Sequence, residues 1–240
     1  MIGTTTTMTT TASCIVYGIV EDDRPGAVRP GLELVRAAGL AAVVADADHR
    51  PARLRRAMEQ HLEVLAELGA TGPVLPLAFG YEAPDRAVVA DDLTQREPRY
   101  RALLELVRGR QQYDVRVKYD EDDLLRSVLQ ADAGLRRRAD RAARAPLPER
   151  VALGEAVAVA VQQRRAHDTA NLEEVLSPMV AAVEAHAASS RADVHLSLLV
   201  EPGAIDGVSA AAEGAVRSWG PVASVSVTGP SPAFSFMERA

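Results

Sequence analysis

Residues 14–20 read CIVYGIV, an apolar run that contains four β-branched residues. A strand with this sequence would be apolar on both faces, which is typical of a strand in the interior of a sheet. We therefore predict that residues 14–20 form a central strand and open the first sheet of the protein.

The segment that follows, residues 32–46, contains two apolar runs on either side of Ala38 and Gly39. Its alanines favour a single helix, whereas Gly39 interrupts the pattern and residues 41–45 again resemble a buried strand. We predict a β-hairpin that turns at Ala38 and Gly39.

Two helices and a short strand are predicted before residue 110. A helix over residues 51–68 follows from apolar positions three and four residues apart, with Gly69 as its stop. These positions are Leu54, Met58, His61, Leu62, Leu65 and Leu68. Residues 73–79 predict a short strand that lies at a sheet edge or carries a bulge, because Pro76 cannot donate to a ladder. Residues 99–107 predict a second helix that closes at Gly109.

The second half of the chain begins with a half-exposed strand over residues 113–119, where apolar and charged side chains alternate. A helical region with a break at residues 145–148 follows. We predict a long helix over residues 148–188, in which Ser177 and Pro178 either form a kink or start a new helix. The last predicted elements are a strand over 194–200, a helix over 210–219 and a strand over 222–227.

This order of elements predicts an α+β protein of two domains. An N-terminal α+β domain is expected over residues 14–110 and a C-terminal modified ferredoxin-like domain with long helices over residues 111–228. Residues 1–13 contain seven threonines and are expected to be a disordered tail. Residues 229–240 are expected to be a rigid, semi-extended C-terminal tail, since Pro230 and Pro232 space two phenylalanines.

Composition argues against several classes of function. The net charge of −6 removes the electrostatic attraction on which most binding to nucleic acid or anionic lipid depends. No apolar stretch approaches the roughly 20 residues of a transmembrane helix. The single cysteine, Cys14, cannot form an intramolecular disulfide, which fits a cytoplasmic protein. We expect a protein that is a monomer on its own.

Candidate chemical sites are few. The acidic run at residues 120–123 suits a divalent cation, but equally suits a helix start with Asp120 as N-cap. Asp46, Asp48 and His49 form a sparse ligand set after a predicted strand. His61 and His167 lie on predicted helices, and no phosphate-binding glycine motif is present. We expect no catalytic residues, cofactor or metal, with a small-ligand or metal-binding sensor or enzyme as the alternative.

A basic face is predicted within residues 135–144. It carries five arginines, at positions 136, 137, 138, 141 and 144. Such a face could dock an acidic partner surface or anionic lipid, or could simply be solvated.

Five ordered segments carry a resemblance to a known family. Residues 72–80 read GPVLPLAFG and residues 229–236 read GPSPAFSF. Residues 113–125 (YDVRVKYDEDDLL), 16–20 (VYGIV) and 39–44 (GLAAVV) supply the other three. Together they resemble the GvpF/GvpL family of gas vesicle proteins. Ala78, Ser231, Ala233 and Phe234 depart from the family's usual arginine, aromatic, proline and tyrosine.

The resemblance implies an α+β N-terminal domain, a modified ferredoxin-like C-terminal domain, and a minor vesicle component that acts in nucleation and assembly. It implies the shell protein GvpA as partner, with other gas vesicle accessory proteins as further candidates. We expect shielding of GvpA's apolar surface by the segment 73–79 and the C-terminal tail, unless the tail packs on its own N-terminal domain. The candidate residues are Pro73, Leu75, Pro76, Leu77, Phe79, Pro230, Pro232, Phe234 and Phe236.

Overall fold

The computed structural model describes residues 13–23, 29–47 and 54–237. Its chain forms two compact units, of which the first comprises residues up to Arg110 together with those from Pro232 onward. The second unit comprises Gln111–Ser231. The predicted disordered tail and the candidate ligands Asp48 and His49 lie outside the described residues, apart from Ser13.

The first unit is built on an antiparallel sheet in which β1 is central. Its strands are β1 (Cys14–Glu21), β2 (Glu33–Ala37), β3 (Leu40–Asp46), β4 (Leu75–Pro76) and β5 (Glu82–Ala83). The order is β2-β3-β1-β4, and β5 also pairs with β1. The central strand and the hairpin at Ala38 and Gly39 are confirmed. Both hairpin residues have positive φ, as a two-residue turn of type I′ requires.

Helices cover both faces of this sheet, which explains why β1 and β3 are apolar on both sides. On one face, α1 (Leu54–Thr71) places Val64 against Val20, Ala41 and Val43. On the other face lie α2 (Arg86–Gln95) and α3 (Glu97–Val107). The unit therefore has three layers, with the sheet in the middle.

A β-bulge at Tyr17 and a glycine beside it shape the centre of β1. The pairing register with β3 shifts between Val16 and Gly18, so that Tyr17 is the extra residue. A Cβ atom on Gly18 would lie only 2.8 Å from the carbonyl oxygen of Leu75. Only glycine lets β4 approach β1 this closely.

Two details of the first unit differ from the sequence prediction. The buried face of α1 consists of Ala57, His61, Val64 and Leu65, whereas Leu54, Met58 and Leu62 are exposed. The helix continues past Gly69 to Thr71, because an isolated glycine lowers helix stability without ending it. The predicted strand over residues 73–79 is confined to two residues, Leu75 and Pro76, at the end of the sheet.

The second unit is a four-stranded antiparallel sheet with helices on one face. Its strands β6 (Gln111–Tyr119), β7 (Ala182–His186), β8 (Val194–Val200) and β9 (Ala223–Ser231) have the order β7-β8-β6-β9. This is the split βαβ order of ferredoxin-like domains. The helices are α4 (Glu121–Ala131), α5 (Ala133–Arg141), α6 (Leu147–Leu176) and α7 (Ile205–Ser218). The α+β class with a modified ferredoxin-like arrangement is confirmed.

The long helix α6 ends earlier than predicted. It stops at Leu176, a 3₁₀ turn covers Ser177–Met179, and Ala182–His186 forms β7 in place of the predicted last helical turns. Alanine and glutamate favour helix locally, but pairing of β7 with the buried strand β8 outweighs that preference.

A buried polar network fixes α6 to the sheet. The Tyr119 hydroxyl donates to Asp168 over 2.6 Å, and Arg164 Nε donates to the same carboxylate oxygen over 2.7 Å. Asp168 is 1% exposed, so this carboxylate depends on both donors. Burial and the carboxylate together raise the pKa of Tyr119, which remains a neutral donor at physiological pH.

The substitution Gly18→Ala tests the close approach of β4 to β1. We expect a loss of about 1–3 kcal/mol in the free energy of unfolding, because the added methyl group meets backbone that cannot move freely. Gly154→Ala in α6 is the matched control, since a Cβ there would have no atom within 4 Å. Gly154→Ala should raise the free energy of unfolding by about 0.5–1 kcal/mol. If urea unfolding gave the same change for both variants, the close approach of β4 to β1 would be contradicted.

Candidate apolar partner site

An apolar cavity in the first unit is lined by the signature segment 73–79 and by Met237, the residue that follows the signature segment 229–236. The cavity has a volume of about 210 Å³ and lies between the sheet and helices α2 and α3. Leu75 and Leu77 of the segment 73–79 line it, and Met237 of the C-terminal tail lines it as well. The remaining apolar lining residues are Val16, Ile19, Ala42, Ala83, Val88, Val89, Leu93 and Leu103.

Five residues with polar groups complete the lining: Tyr81, Asp92, Arg96, Arg99 and Tyr100. Tyr100 donates to Asp92 over 2.5 Å, and Arg96 forms an ion pair with the same carboxylate at 3.1 Å. Burial, followed by the Asp92 hydrogen bond, raises the pKa of Tyr100 to about 12, so its hydroxyl stays protonated. Tyr81 is 50% exposed and Val88 is 46% exposed, and these two residues give the cavity an apolar rim.

The segment 73–79 is held in place by β1 and α1. The amide of Leu77 donates to the carbonyl of Tyr17 over 2.9 Å. His61 Nε2 donates to the carbonyl of Leu77 over 3.0 Å, its ring stacks on Tyr17, and its edge meets Phe79. Burial lowers the pKa of His61, which favours the neutral ring that this packing needs.

The tail returns to the first unit after β9. A 3₁₀ turn covers Phe234–Phe236, and Phe236 is fully buried. Arg99 Nη2 donates to the carbonyl of Met237 over 3.0 Å. The end of the described tail therefore packs on its own N-terminal unit, which was one of the two alternatives for it.

The predicted partner-binding residues differ in accessibility. Leu75, Pro76 and Phe236 are buried, whereas Phe79 is 39% exposed. Pro73, Leu77, Pro232 and Phe234 are half-buried, and Pro230, in β9 of the second unit, is exposed. Buried members of the set can only support the surface, so direct contacts fall to the accessible ones.

Sequence reasoning missed helix α2, which supplies one wall of the cavity. Its start carries a readable signal, since the side chain of Asp85 accepts a hydrogen bond from the amide of Val88 over 2.8 Å. The apolar positions of α2 are harder to read, because Val89 and Leu93 are buried while Val88 is exposed. Met237 could not have been assigned to the cavity without the fold.

The candidate chemical sites of the sequence have structural roles where they are described. Asp120 is the N-cap of α4, and its side chain accepts from the amide of Asp123 over 3.0 Å. Asp46 pairs with Arg86 at 2.7 Å. Within the described ranges, no group of three or more His, Cys, Asp or Glu side chains is arranged to hold a metal ion. None of the described helices combines the length and hydropathy needed to cross a membrane.

A Ser, His and Asp cluster on the second sheet escaped the sequence analysis. Ser197 Oγ donates to Asp114 over 2.7 Å and lies 2.8 Å from His186 Nε2. In a hydrolase triad the serine donates to the histidine and the carboxylate orients the histidine, whereas here the serine donates to the carboxylate. Ser197 is also fully buried, so the cluster organises the sheet and presents no nucleophile.

Comparison with known proteins places the chain in a family. The sequence model described as "Gas vesicle synthesis protein GvpL/GvpF" matches residues 13–238. The chain belongs to the GvpL/GvpF family. It is 36% identical to gas vesicle protein F of Streptomyces sp. (strain CB03234) over 239 residues, covering 94% of this chain and 100% of the relative.

Solved structures of the family share the fold. GvpF from Anabaena sp. PCC7120 superposes with a TM-score of 0.75 at 16% identity, covering 95% of this chain and 99% of that one. GvpF from Microcystis aeruginosa gives a TM-score of 0.73 at 17% identity, covering 95% and 100%. The resemblance predicted from the five sequence segments is thus confirmed, and GvpL/GvpF is a family of gas vesicle proteins rather than a known family of enzymes.

The neutral state of His61 predicts a measurable pH dependence. Its pKa is lowered in the folded protein, so the unfolded chain binds a proton more readily and stability falls as the pH drops below about 6.5. His61→Gln removes this titration. The slope of the free energy of unfolding against pH should therefore fall by at most about 1.4 kcal/mol per pH unit. His167→Gln, at an exposed position, is the control. Equal slopes for both variants in urea unfolding between pH 7 and 5 would contradict the assignment.

Proposed function

We propose that this GvpL/GvpF-family protein is an assembly factor and minor component of the gas vesicle that binds the shell protein GvpA. In this proposal it covers apolar surface of GvpA before polymerisation, suppresses aggregation and helps nucleation. A shell subunit that must polymerise through apolar contacts exposes those contacts while it is free, and a bound protein shields them.

The observation that supports this proposal best is that the signature segment 73–79 and the C-terminal tail meet at one apolar cavity. Leu75, Leu77 and Met237 come from segments more than a hundred residues apart and line the same space. Its volume of about 210 Å³ is below the roughly 300–1,000 Å³ typical of small-molecule sites. That size suits one or two apolar side chains of a protein partner better than a cofactor.

The rim and the wall of the cavity add features of a protein interface. Tyr81 and Val88 expose apolar surface at the cavity, and Phe79 exposes part of its ring beside His61. Arg99 Nε is buried without a hydrogen-bond partner in the described part of the chain. A backbone carbonyl or carboxylate of the partner would satisfy that donor, which gives the contact direction as well as apolar area.

Strand addition at β4 contributes little to this proposal. β4 has two residues, one of which is Pro76, and the adjacent amide of Leu77 already donates to β1. Few backbone groups remain there for an added strand, so we assign the contact to side chains that enter the cavity.

Co-expression with tagged GvpA tests the proposal. The full chain should co-purify with soluble GvpA, and Val88→Lys should reduce the recovered complex about tenfold or more, because it places a charge on the apolar rim. A truncation after Gly229 is a weaker test, since it also removes the fully buried Phe236.

Val159→Lys is the matched control, because Val159 is a helical valine in α6 with 56% exposure. It should leave the amount of complex unchanged. Soluble complex recovered equally from both variants would rule out the cavity as the contact. Absence of complex with the unmodified chain would overturn GvpA binding itself.

A further inference from the structure

The second unit carries a surface with a charge opposite to that of the whole chain. Between residues 136 and 150 there are six arginines and two acidic residues, whereas the chain as a whole has 27 basic and 33 acidic residues. All six arginines are exposed. Five of them lie on α5 and the turn that follows it, and Arg150 lies in the first turns of α6.

These arginines lack the carboxylate partners that many arginines of the protein have. Arg55 pairs with Glu59 at 3.1 Å, and Arg126 pairs with Asp123 one turn earlier in α4. By contrast, none of the arginines between 136 and 150 forms an ion pair with any described residue. Arg141 makes one internal contact, from its Nε to the carbonyl of Arg137 at 3.1 Å. Adjacent guanidinium groups that are not paired with carboxylates repel one another and favour an anionic partner.

The arginines border a hollow whose lining mixes charged and apolar side chains. It has a volume of about 850 Å³ and lies where α5 ends and α6 begins. Arg138, Arg141 and Arg144 line it together with Pro146, Ala152 and Leu153. Next to the hollow, Leu147 is 68% exposed, which adds accessible apolar surface. We call this surface the basic hollow.

We propose that the basic hollow binds an acidic segment of a partner protein, with carboxylates on Arg138, Arg141 and Arg144 and an apolar side chain against Pro146 and Leu153. Guanidinium groups match carboxylates through paired N–H donors, and that geometry gives direction to the contact. The proposal stands independently of GvpA binding at the cavity, which belongs to the first unit.

Two other polyanions fit the basic hollow less well. Residues 120–166 contain no aromatic side chain, so the surface offers no platform for stacking nucleic acid bases. Asp140 and Glu149 also line the hollow, and the net charge of −6 opposes approach to a long polyanion or an anionic bilayer. A concave surface that combines arginines with Pro146 and Leu153 suits a peptide with acidic and apolar side chains better than a flat array of lipid headgroups.

Fluorescence anisotropy of the full-length protein with a short labelled peptide of glutamate and leucine tests this proposal. The peptide should bind, and its affinity should fall as NaCl is raised, because the ion pairs are exposed. The variant R138Q/R141Q/R144Q should bind about tenfold more weakly. The same peptide with glutamine in place of glutamate should not bind.

The variant R56Q/R191Q/R217Q is the charge-matched control. Its three arginines are exposed, and none of them forms an ion pair with a described residue. Its affinity for the peptide should stay within about twofold of the unmodified protein. Equal losses in both variants, or no binding of the acidic peptide, would overturn the proposal. Tighter arginine-dependent binding to phosphatidylglycerol vesicles or to single-stranded DNA would overturn it in favour of those partners.

Discussion

Burial of both faces of β1 is the constraint on which the first unit depends. The strand is apolar on each side, so one layer of helices cannot cover it, and α1 and the α2–α3 pair occupy opposite faces. The bulge at Tyr17 and the absence of a side chain at Gly18 let β4 lie close to β1. That approach places Leu75 and Leu77 under α2 and α3, where the second layer leaves the apolar cavity.

Much of this fold can be predicted from the sequence because the signals are local. The apolar run of β1 and the turn at Ala38 and Gly39 identify the start of the first sheet, and alternation over residues 113–119 identifies β6. Local sequence signals fail to predict secondary structure and burial where contacts between distant segments determine them. Residues 182–186 have helical composition but become a strand because β8 offers a buried edge. Leu54 and Met58 continue the apolar spacing of α1, yet the sheet covers a neighbouring face.

The candidate site was predictable only in part, for the same reason. The segments 73–79 and 229–236 can be singled out because their motifs resemble those of a family, but resemblance does not say which side chains are accessible. Phe236 has the character of a contact residue in the sequence and is fully buried in the structure. Val88, Arg99 and Met237 meet at the cavity from three separate parts of the chain, and no sequence spacing relates them.

Photo-crosslinking at the cavity rim is the most direct measurement of the central claim, that the cavity of the first unit receives GvpA. Tyr81 is half exposed and lines the cavity, so p-benzoyl-phenylalanine at this position places a photoreactive group at the rim, where the exposed side leaves room for its larger ring system. We expect irradiation of co-expressing cells to join this position to GvpA, and to give no such product from the same amino acid at Val159. A GvpA crosslink at Val159 and none at Tyr81 would contradict the account.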